Sequence, residues 1–325
     1  MTMKIKNIDK EIIERMIKMY ETQSTLEIAK ELKMHKSTIR TILIQNGVKI
    51  RNRFDSKLGY NANKNFFKDR ENWTQKQSYF LGWLLSDGNI TKNFSGLRIR
   101  LQERDGRILE ILKDIIGYSG PLLYEKRNTI GDLIKKNSCS VQNRWGLCIS
   151  NTEMVRELQS LGIPQNKTNR LPFPDYIKKD LIHHFLRGFY EGDGTISYSS
   201  TGKNNLTFDI HLIATEEFGK EVTKILKEKL NIDAKTYSKG HACNNMQNGN
   251  VRIVFTGIYN GLKFFNYIYK DADYVLKRKF RKFLRIINYA KRVKRWSRHL
   301  PIELVKEEAN TAMQIAKQII QTAQY

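Results

Sequence analysis

Apolar residues along this chain follow two periods, one near 3.6 and one of 2, and the changes between them mark its elements. Between residues 9 and 47, Ile12, Ile13, Met16, Ile17 and Tyr20 recur at helical spacing. Thr25 is placed to cap a second helix carrying Leu26, Ile28, Ala29 and Leu32. After a short turn at Lys33, Met34 and His35, a third helix over 36–46 turns Ile39, Ile42 and Leu43 inward. Residues 51–73 are polar and read as a linker, anchored by Phe66, Phe67 and Trp73.

Beyond the linker the pattern repeats itself. Thr74 and Gln77 form a capping box, so a helix starts near 75 and runs to about Asp87. Residues 97–102 alternate strictly, with Leu97, Ile99 and Leu101 facing a core and Arg98, Arg100 and Gln102 facing outward. A helix over 105–117, strands at 121–127 and 144–150, and a short helix over 152–161 follow, with a long polar loop across 128–143. The second pass has a helix at 180–190, a strand at 206–214, a helix at 218–230, and strands at 234–239 and 250–256. Helices at 258–269 and 273–290 close it. On strand 206–214, Phe208, Ile210 and Leu212 point inward, and Thr207, Asp209 and His211 point outward. The order expected of each pass is helix–strand–strand–helix–strand–strand–helix, twice over, and the fold class is α+β.

Each pass opens on the same local pattern. Phe80 to Gly88 reads Phe-Leu-Gly-Trp-Leu-Leu-Ser-Asp-Gly, and Leu186 to Gly194 reads Leu-Arg-Gly-Phe-Tyr-Glu-Gly-Asp-Gly. Small residues recur four apart, Gly82 with Ser86 and Gly188 with Gly192, so each helix has one face that a neighbouring backbone can approach closely. Gly88 and Gly194 suit a helix stop that needs a positive φ. Two such helices side by side bring Asp87 and Asp193 together at their C-terminal ends. Carboxylates there oppose the helix dipoles and repel each other, and a bound divalent cation relieves both penalties.

Composition narrows the partner. The 325 residues hold 57 Lys and Arg against 33 Asp and Glu, a net charge of +24, which calls for a polyanion and most simply for nucleic acid. An anionic membrane surface is the competitor, but no run of 18 apolar residues exists to span a bilayer. No secretory signal opens the chain, and three cysteines, Cys139, Cys148 and Cys243, lack CxxC spacing. They read as reduced thiols of an intracellular protein, cytoplasmic in a bacterial or phage host, or organellar. His241 and Cys243 are too sparse for a zinc site. Residues 277–298 hold eleven Lys and Arg and no acid, a solvated face or a contact to flanking phosphates. From Pro301 onward, Val305, Ala309, Ala312, Ala316 and Ile319 share one helical stripe that packs on the body or binds a partner.

The doubled Asp-Gly motif with its central glycine resembles the LAGLIDADG homing endonuclease family in its monomeric two-repeat form, over roughly residues 66–290. It departs where Leu85 stands in place of a polar or acidic residue and Arg187 in place of a small one. The resemblance implies two pseudo-symmetric αββαββα repeats forming a saddle over double-stranded DNA with a long target site. It implies metal-dependent cleavage of both strands across the minor groove, leaving short 3′ overhangs, with two or three Mg²⁺ ions shared at the motif-helix interface. In the family each aspartate and the carbonyl before it hold metal, here Asp87 with Ser86 and Asp193 with Gly192. A lysine and a glutamine near the metals correspond to Lys167 and Gln102 in the first half and to Lys279 in the second. The glutamine's counterpart falls near Ile213 or Ala214, and a phosphate contact is the competing role for each lysine. A repressor-like DNA-binding protein and an intron RNA maturase are the alternatives on this fold.

The three N-terminal helices resemble a helix-turn-helix, whose third helix offers Lys36, Ser37, Thr38, Arg40 and Thr41 to a major groove; a module used only for packing is the alternative. Arg144, Asp209, His211 and Arg252 join Arg98, Arg100 and Gln102 as strand residues facing DNA. The expected domains are 1–53 for the helix-turn-helix, 54–73 for the linker, 74–174 and 175–290 for the two repeats, and 291–325 for a basic, amphipathic tail.

Overall fold

The structure is a computed structural model that describes residues 8–50, 60–126, 142–200, 206–238, 249–292 and 301–322. The basic residues at 51–53, most of the polar loop at 128–143, and His241 with Cys243 lie outside the described residues.

Three helices, α1 (Lys10–Thr22), α2 (Thr25–Glu31) and α3 (Lys36–Gln45), enclose a small core of their own around Met16, Tyr20, Ile28, Ile39, Ile42 and Leu43. Ser24, not Thr25, caps α2: its side chain accepts from the Glu27 N–H while Glu27 reaches back to the Ser24 N–H. Thr25 is the first helical residue instead.

The main body contains two four-stranded antiparallel sheets with one topology. The first has the order β1-β2-β4-β3 and the second β5-β6-β8-β7. The first sheet comprises β1 (Gly88–Ile90), β2 (Leu97–Gln102), β3 (Leu123–Glu125) and β4 (Arg144–Ile149). Helices α4 (Gln75–Ser86), α5 (Arg107–Ile115) and α6 (Thr152–Ser160) belong to the same repeat. The second sheet comprises β5 (Thr195–Ser200), β6 (Leu206–Thr215), β7 (Lys235–Ser238) and β8 (Asn250–Thr256). Its helices are α7 (Ile182–Asp193), α8 (Glu216–Leu230), α9 (Ile258–Ile268) and α10 (Lys277–Arg292). A last helix, α11 (Ile302–Thr322), buries Val305, Ala309, Ala312, Ala316 and Ile319 in the main core. Asn266 on α9 donates to the Glu308 backbone carbonyl at 3.1 Å, which pins that helix.

Phe66, Phe67 and Trp73 are buried and stack edge-on against one another and Phe80, so this part of the linker segment docks on the first motif helix. Three differences from the sequence pattern appear, two of them with a physical cause in close glycine packing. The second motif helix starts at Ile182 and runs to Asp193, three residues beyond Tyr190, because Gly192 continues the turn against the facing helix. The helix expected at 273–290 starts at Lys277. Gly88 and Gly194 do not adopt a positive φ; Gly194 has φ −77°. They are required for space, since a Cβ would stand 2.6 Å from the Leu84 carbonyl at Gly88 and 2.5 Å from the Tyr190 carbonyl at Gly194.

Candidate metal centre and DNA-facing surface

Helices α4 and α7 pack backbone to backbone. A Cβ on Gly82 would stand 2.6 Å from the Phe189 nitrogen, and a Cβ on Gly188 would stand 3.2 Å from the Gly82 Cα. This approach, open only to glycine, sets the two helix ends side by side. Asp87 is the C-cap of α4, its N–H bonded to the Trp83 carbonyl at 3.1 Å. Asp193 is the last residue of α7. A Cβ on Gly192 would come 3.0 Å from Asp87 Oδ2, so the second repeat's chain passes directly beside the first repeat's carboxylate.

Both aspartates are exposed on one side yet crowded by protein on the others. That crowding pushes the Asp87 carboxyl up to about 6, first through desolvation and then through the neighbouring Asp193 charge. Asp193 moves the same way for want of solvation, opposed by Lys167 and Lys279.

The two lysines meet the helix ends in matching fashion. Lys167 follows a turn in which Asn166 takes a left-handed conformation, φ 54°. Its Nζ donates to the carbonyls of Leu85 at 2.5 Å and Ser86 at 2.7 Å. Lys279, in the first turn of α10, donates to those of Tyr190 at 2.8 Å and Gly192 at 2.7 Å. Lys279 is only 4% exposed, and burial followed by the Arg278 charge lowers its pKa to about 8. Burial also lowers that of Lys167. Next door, Arg278 grips Asp105 of the first repeat with two bonds of 2.9 and 2.8 Å.

The oxygen set fits a hard divalent ion. The Asp193 charge stands close enough to raise the Asp87 pKa, and the Ser86 and Gly192 carbonyls lie at helix C-termini, where cations are favoured. Among the described residues no group of three or more His, Cys, Asp or Glu side chains forms, so water would complete the coordination.

The sheets carry the expected surface residues. Arg98, Arg100 and Gln102 are exposed on β2, with Gln102 paired to Arg144 on β4. Arg100 forms an ion pair with Glu125 at 3.1 Å. On the second sheet, Asp209 and His211 are half-buried, and Arg252 lies 5.9 Å over the Tyr237 ring. Burial and the Arg252 charge lower the His211 pKa. Gly88 pairs with Ile99, and the strand pairing Thr195 to His211 places Leu212 opposite Gly194. Counting on from those partners, the position equivalent to Gln102 is Thr215, one residue past the expected Ile213 or Ala214. Thr215 is buried, donates to the Leu171 carbonyl at 2.6 Å and caps α8. The structure groups Asp87, Asp193, Ser86, Gly192, Lys167 and Lys279 together, with Gln102 on the sheet beside Arg144.

On α3, Lys36, Ser37 and Arg40 are exposed and Thr38 and Thr41 half-buried. The Thr41 hydroxyl is engaged with the Ser37 carbonyl at 3.0 Å, and Ser37 Oγ lies 2.6 Å from His35 Nδ1.

The network beneath the centre was missed in the sequence. Arg187 is fully buried, its guanidinium 4.8 Å over the Tyr79 ring and 2.9 Å from His184 Nδ1. Glu191, one turn on, accepts from the hydroxyls of Tyr79 and Tyr269. A charged residue four positions from another on an otherwise apolar motif helix was the available signal.

Residues 180–269 match the family profile of the LAGLIDADG-like domain. The match spans most of the second repeat, and the first repeat has the same sheet order. No curated protein matches the chain. Among solved structures, it is similar to the I-LtrWI LAGLIDADG homing endonuclease bound to target DNA, at 11% identity and TM-score 0.44 over 77% of this chain and 99% of that one. It is also similar to I-GzeII in complex with a DNA target, at 13% identity and TM-score 0.42, with 75% and 96% covered. For I-AabMI bound to uncleaved DNA the values are 13% and 0.41, with 76% and 98% covered. No helix among the described residues is long and apolar enough to cross a membrane.

Proposed function

We propose that the chain is a site-specific homing endonuclease that cuts both strands of its DNA target in a metal-dependent reaction and leaves short 3′ overhangs. The observation that carries this reading is the meeting of Asp87 and Asp193 at adjacent helix ends, each next to a carbonyl held by a lysine. Asp87 with the Ser86 carbonyl and Asp193 with the Gly192 carbonyl would hold Mg²⁺. The bound ion supplies positive charge for the phosphate in flight and an acidified water. The protein's own part is to hold two carboxylates in register and to bring one to each strand.

Arg98, Arg100, Gln102 and Arg144 on the first sheet, and Asp209, His211 and Arg252 on the second, would face the base edges. Arg281 and Arg285, exposed on α10, would meet flanking phosphates. Residues 1–53 would add a helix-turn-helix contact through Lys36, Thr38 and Arg40. The net charge of +24 accounts for a long polyanionic partner. The test is a cleavage assay in Mg²⁺ on the intron-less allele of the gene that hosts this reading frame. Double-strand cuts with 3′ overhangs support the reading; tight binding with no cut in either strand favours a repressor.

A further inference from the structure

An α-helix leaves its last carbonyls without partners, and a cation near them also complements the dipole. In this chain the cations already there are lysine ammonium groups. Lys167 arrives from a 3₁₀ turn and Lys279 from the start of a helix, two unrelated backbones. Yet each ends on the carbonyl immediately before an aspartate and on one a turn fraction earlier, four bonds between 2.5 and 2.8 Å. Four short contacts of this kind, made twice and with one lysine almost fully buried, are a built feature.

We propose that Lys167 and Lys279 are resident counterions that keep the two half-sites in ligand-ready form, and that a divalent ion must displace them from the Ser86 and Gly192 carbonyls to bind fully. This rests on the metal-dependent reading above and adds a role for the lysines as positioning residues. An ammonium on the carbonyl neutralises the helix end and screens the two aspartates from each other. It also occupies the oxygen that a metal needs. Both effects follow from the same contacts, so they rise and fall together.

Lys282 is the internal control. It lies one turn further along α10 and its Nζ donates at 3.0 Å to the Ile196 carbonyl, away from either aspartate's neighbour. Removing its charge changes the local field without freeing a carbonyl of the centre.

The experiment is calorimetric titration of the full-length, DNA-free protein with Ca²⁺, alongside melting in EDTA, for the wild type, Lys167→Met, Lys279→Met and Lys282→Met. Methionine keeps an unbranched chain one atom shorter than lysine and removes the charge. Each of the first two substitutions should tighten Ca²⁺ binding about tenfold, the size of one charge-assisted hydrogen bond, while lowering the melting temperature in EDTA. Lys282→Met should leave Ca²⁺ affinity within about twofold, because its ammonium is held by the Ile196 carbonyl and occupies no carbonyl of the centre. If Lys279→Met does not fold, the half-buried Lys167 carries the test alone. Unchanged or weaker Ca²⁺ binding in the lysine variants, or an equal gain in Lys282→Met, overturns the inference. The metal reading itself is tested separately. Ca²⁺ binding that survives Asp87→Asn with Asp193→Asn sinks that reading, and no binding by any of the proteins sinks both.

Discussion

The Tyr79 hydroxyl on α4 donates to Glu191 Oε2 on α7 at 2.5 Å, a buried hydrogen bond between the motif helices of the two repeats. Tyr269 donates to the other carboxylate oxygen at 3.0 Å, and Arg187 sits one turn back on the same helix. Burial pushes the Glu191 carboxyl up, opposed by Tyr79 and Arg187. Glu191→Ala removes the acceptor of two buried phenols and a negative charge beside a buried guanidinium. The expected cost is about 3 kcal/mol, read as a lower urea midpoint with an unchanged slope. A loss below about 0.5 kcal/mol would mean the network contributes nothing net.

Asp87→Asn and Asp193→Asn should each abolish double-strand cleavage and leave DNA affinity largely intact. One single variant is expected to nick, if each aspartate serves one strand. The readout is supercoiled-plasmid cleavage in Mg²⁺ beside a gel-shift titration. Full cutting by the double variant would remove the aspartates from the chemistry.

The same residue sets a pH dependence. The Asp87 carboxyl is raised from 3.8 to about 6 in the fold. A raised carboxyl stabilises the fold only while protonated, so its contribution is complete below the unfolded value and is lost as pH rises through about 6. In EDTA the wild type should therefore lose stability relative to Asp87→Asn between about pH 4 and 6 and melt below it at pH 8. Parallel melting curves across that window would contradict the raised Asp87 carboxyl, set first by desolvation and then by the Asp193 charge.

Gly82→Ala and Gly188→Ala place a methyl against backbone that cannot swing aside. Alanine gains about 1 kcal/mol of helix propensity, but overpacking costs 1–3 kcal/mol and more when the obstacle is main chain. Net destabilisation of about 2 kcal/mol is expected in thermal or urea unfolding. Neutral behaviour at both sites would mean the helices sit further apart.

Arg100→Ala tests readout by the first sheet. Arg100 is held by Glu125 at 3.1 Å, which orients its guanidinium on the exposed face. Loss of a bidentate guanine contact should relax preference at one or two base pairs by roughly 1–3 kcal/mol. Equal weakening on every sequence would identify a phosphate clamp.

Deleting residues 1–53 should weaken DNA binding and flatten its dependence on salt, since each lost phosphate contact releases fewer counterions. The proposed metal centre lies wholly outside that segment, so cutting at saturating protein should persist. Equal affinity at physiological salt would leave the three-helix module a packing unit.

The chain's periodicities determined the repeat. Strict alternation at 97–102, the Thr74–Gln77 capping box and the doubled Gly-x₄-Asp-Gly spacing are local, and they reappear in the structure as β2, α4 and the paired helix ends. Strands β1 and β5 were not located by pattern, because β1 is three residues long and β5 carries Thr, Ser and Tyr in place of alternating apolar groups. Tertiary structure alone decided the rest. Lys167 lies 80 positions after Asp87, and nothing local to it predicts that its ammonium ends on the Leu85 and Ser86 carbonyls. Thr215 holds the place in the second sheet that Gln102 holds in the first, and that equivalence emerges only from strand register, which depends on partners far away in sequence. Arg187 departs from the motif in sequence, and only the facing helix with Tyr79 and the Ile268 carbonyl show where its guanidinium is buried. Short-range spacing specifies elements and faces; contacts between residues a hundred positions apart exist only once those faces have met.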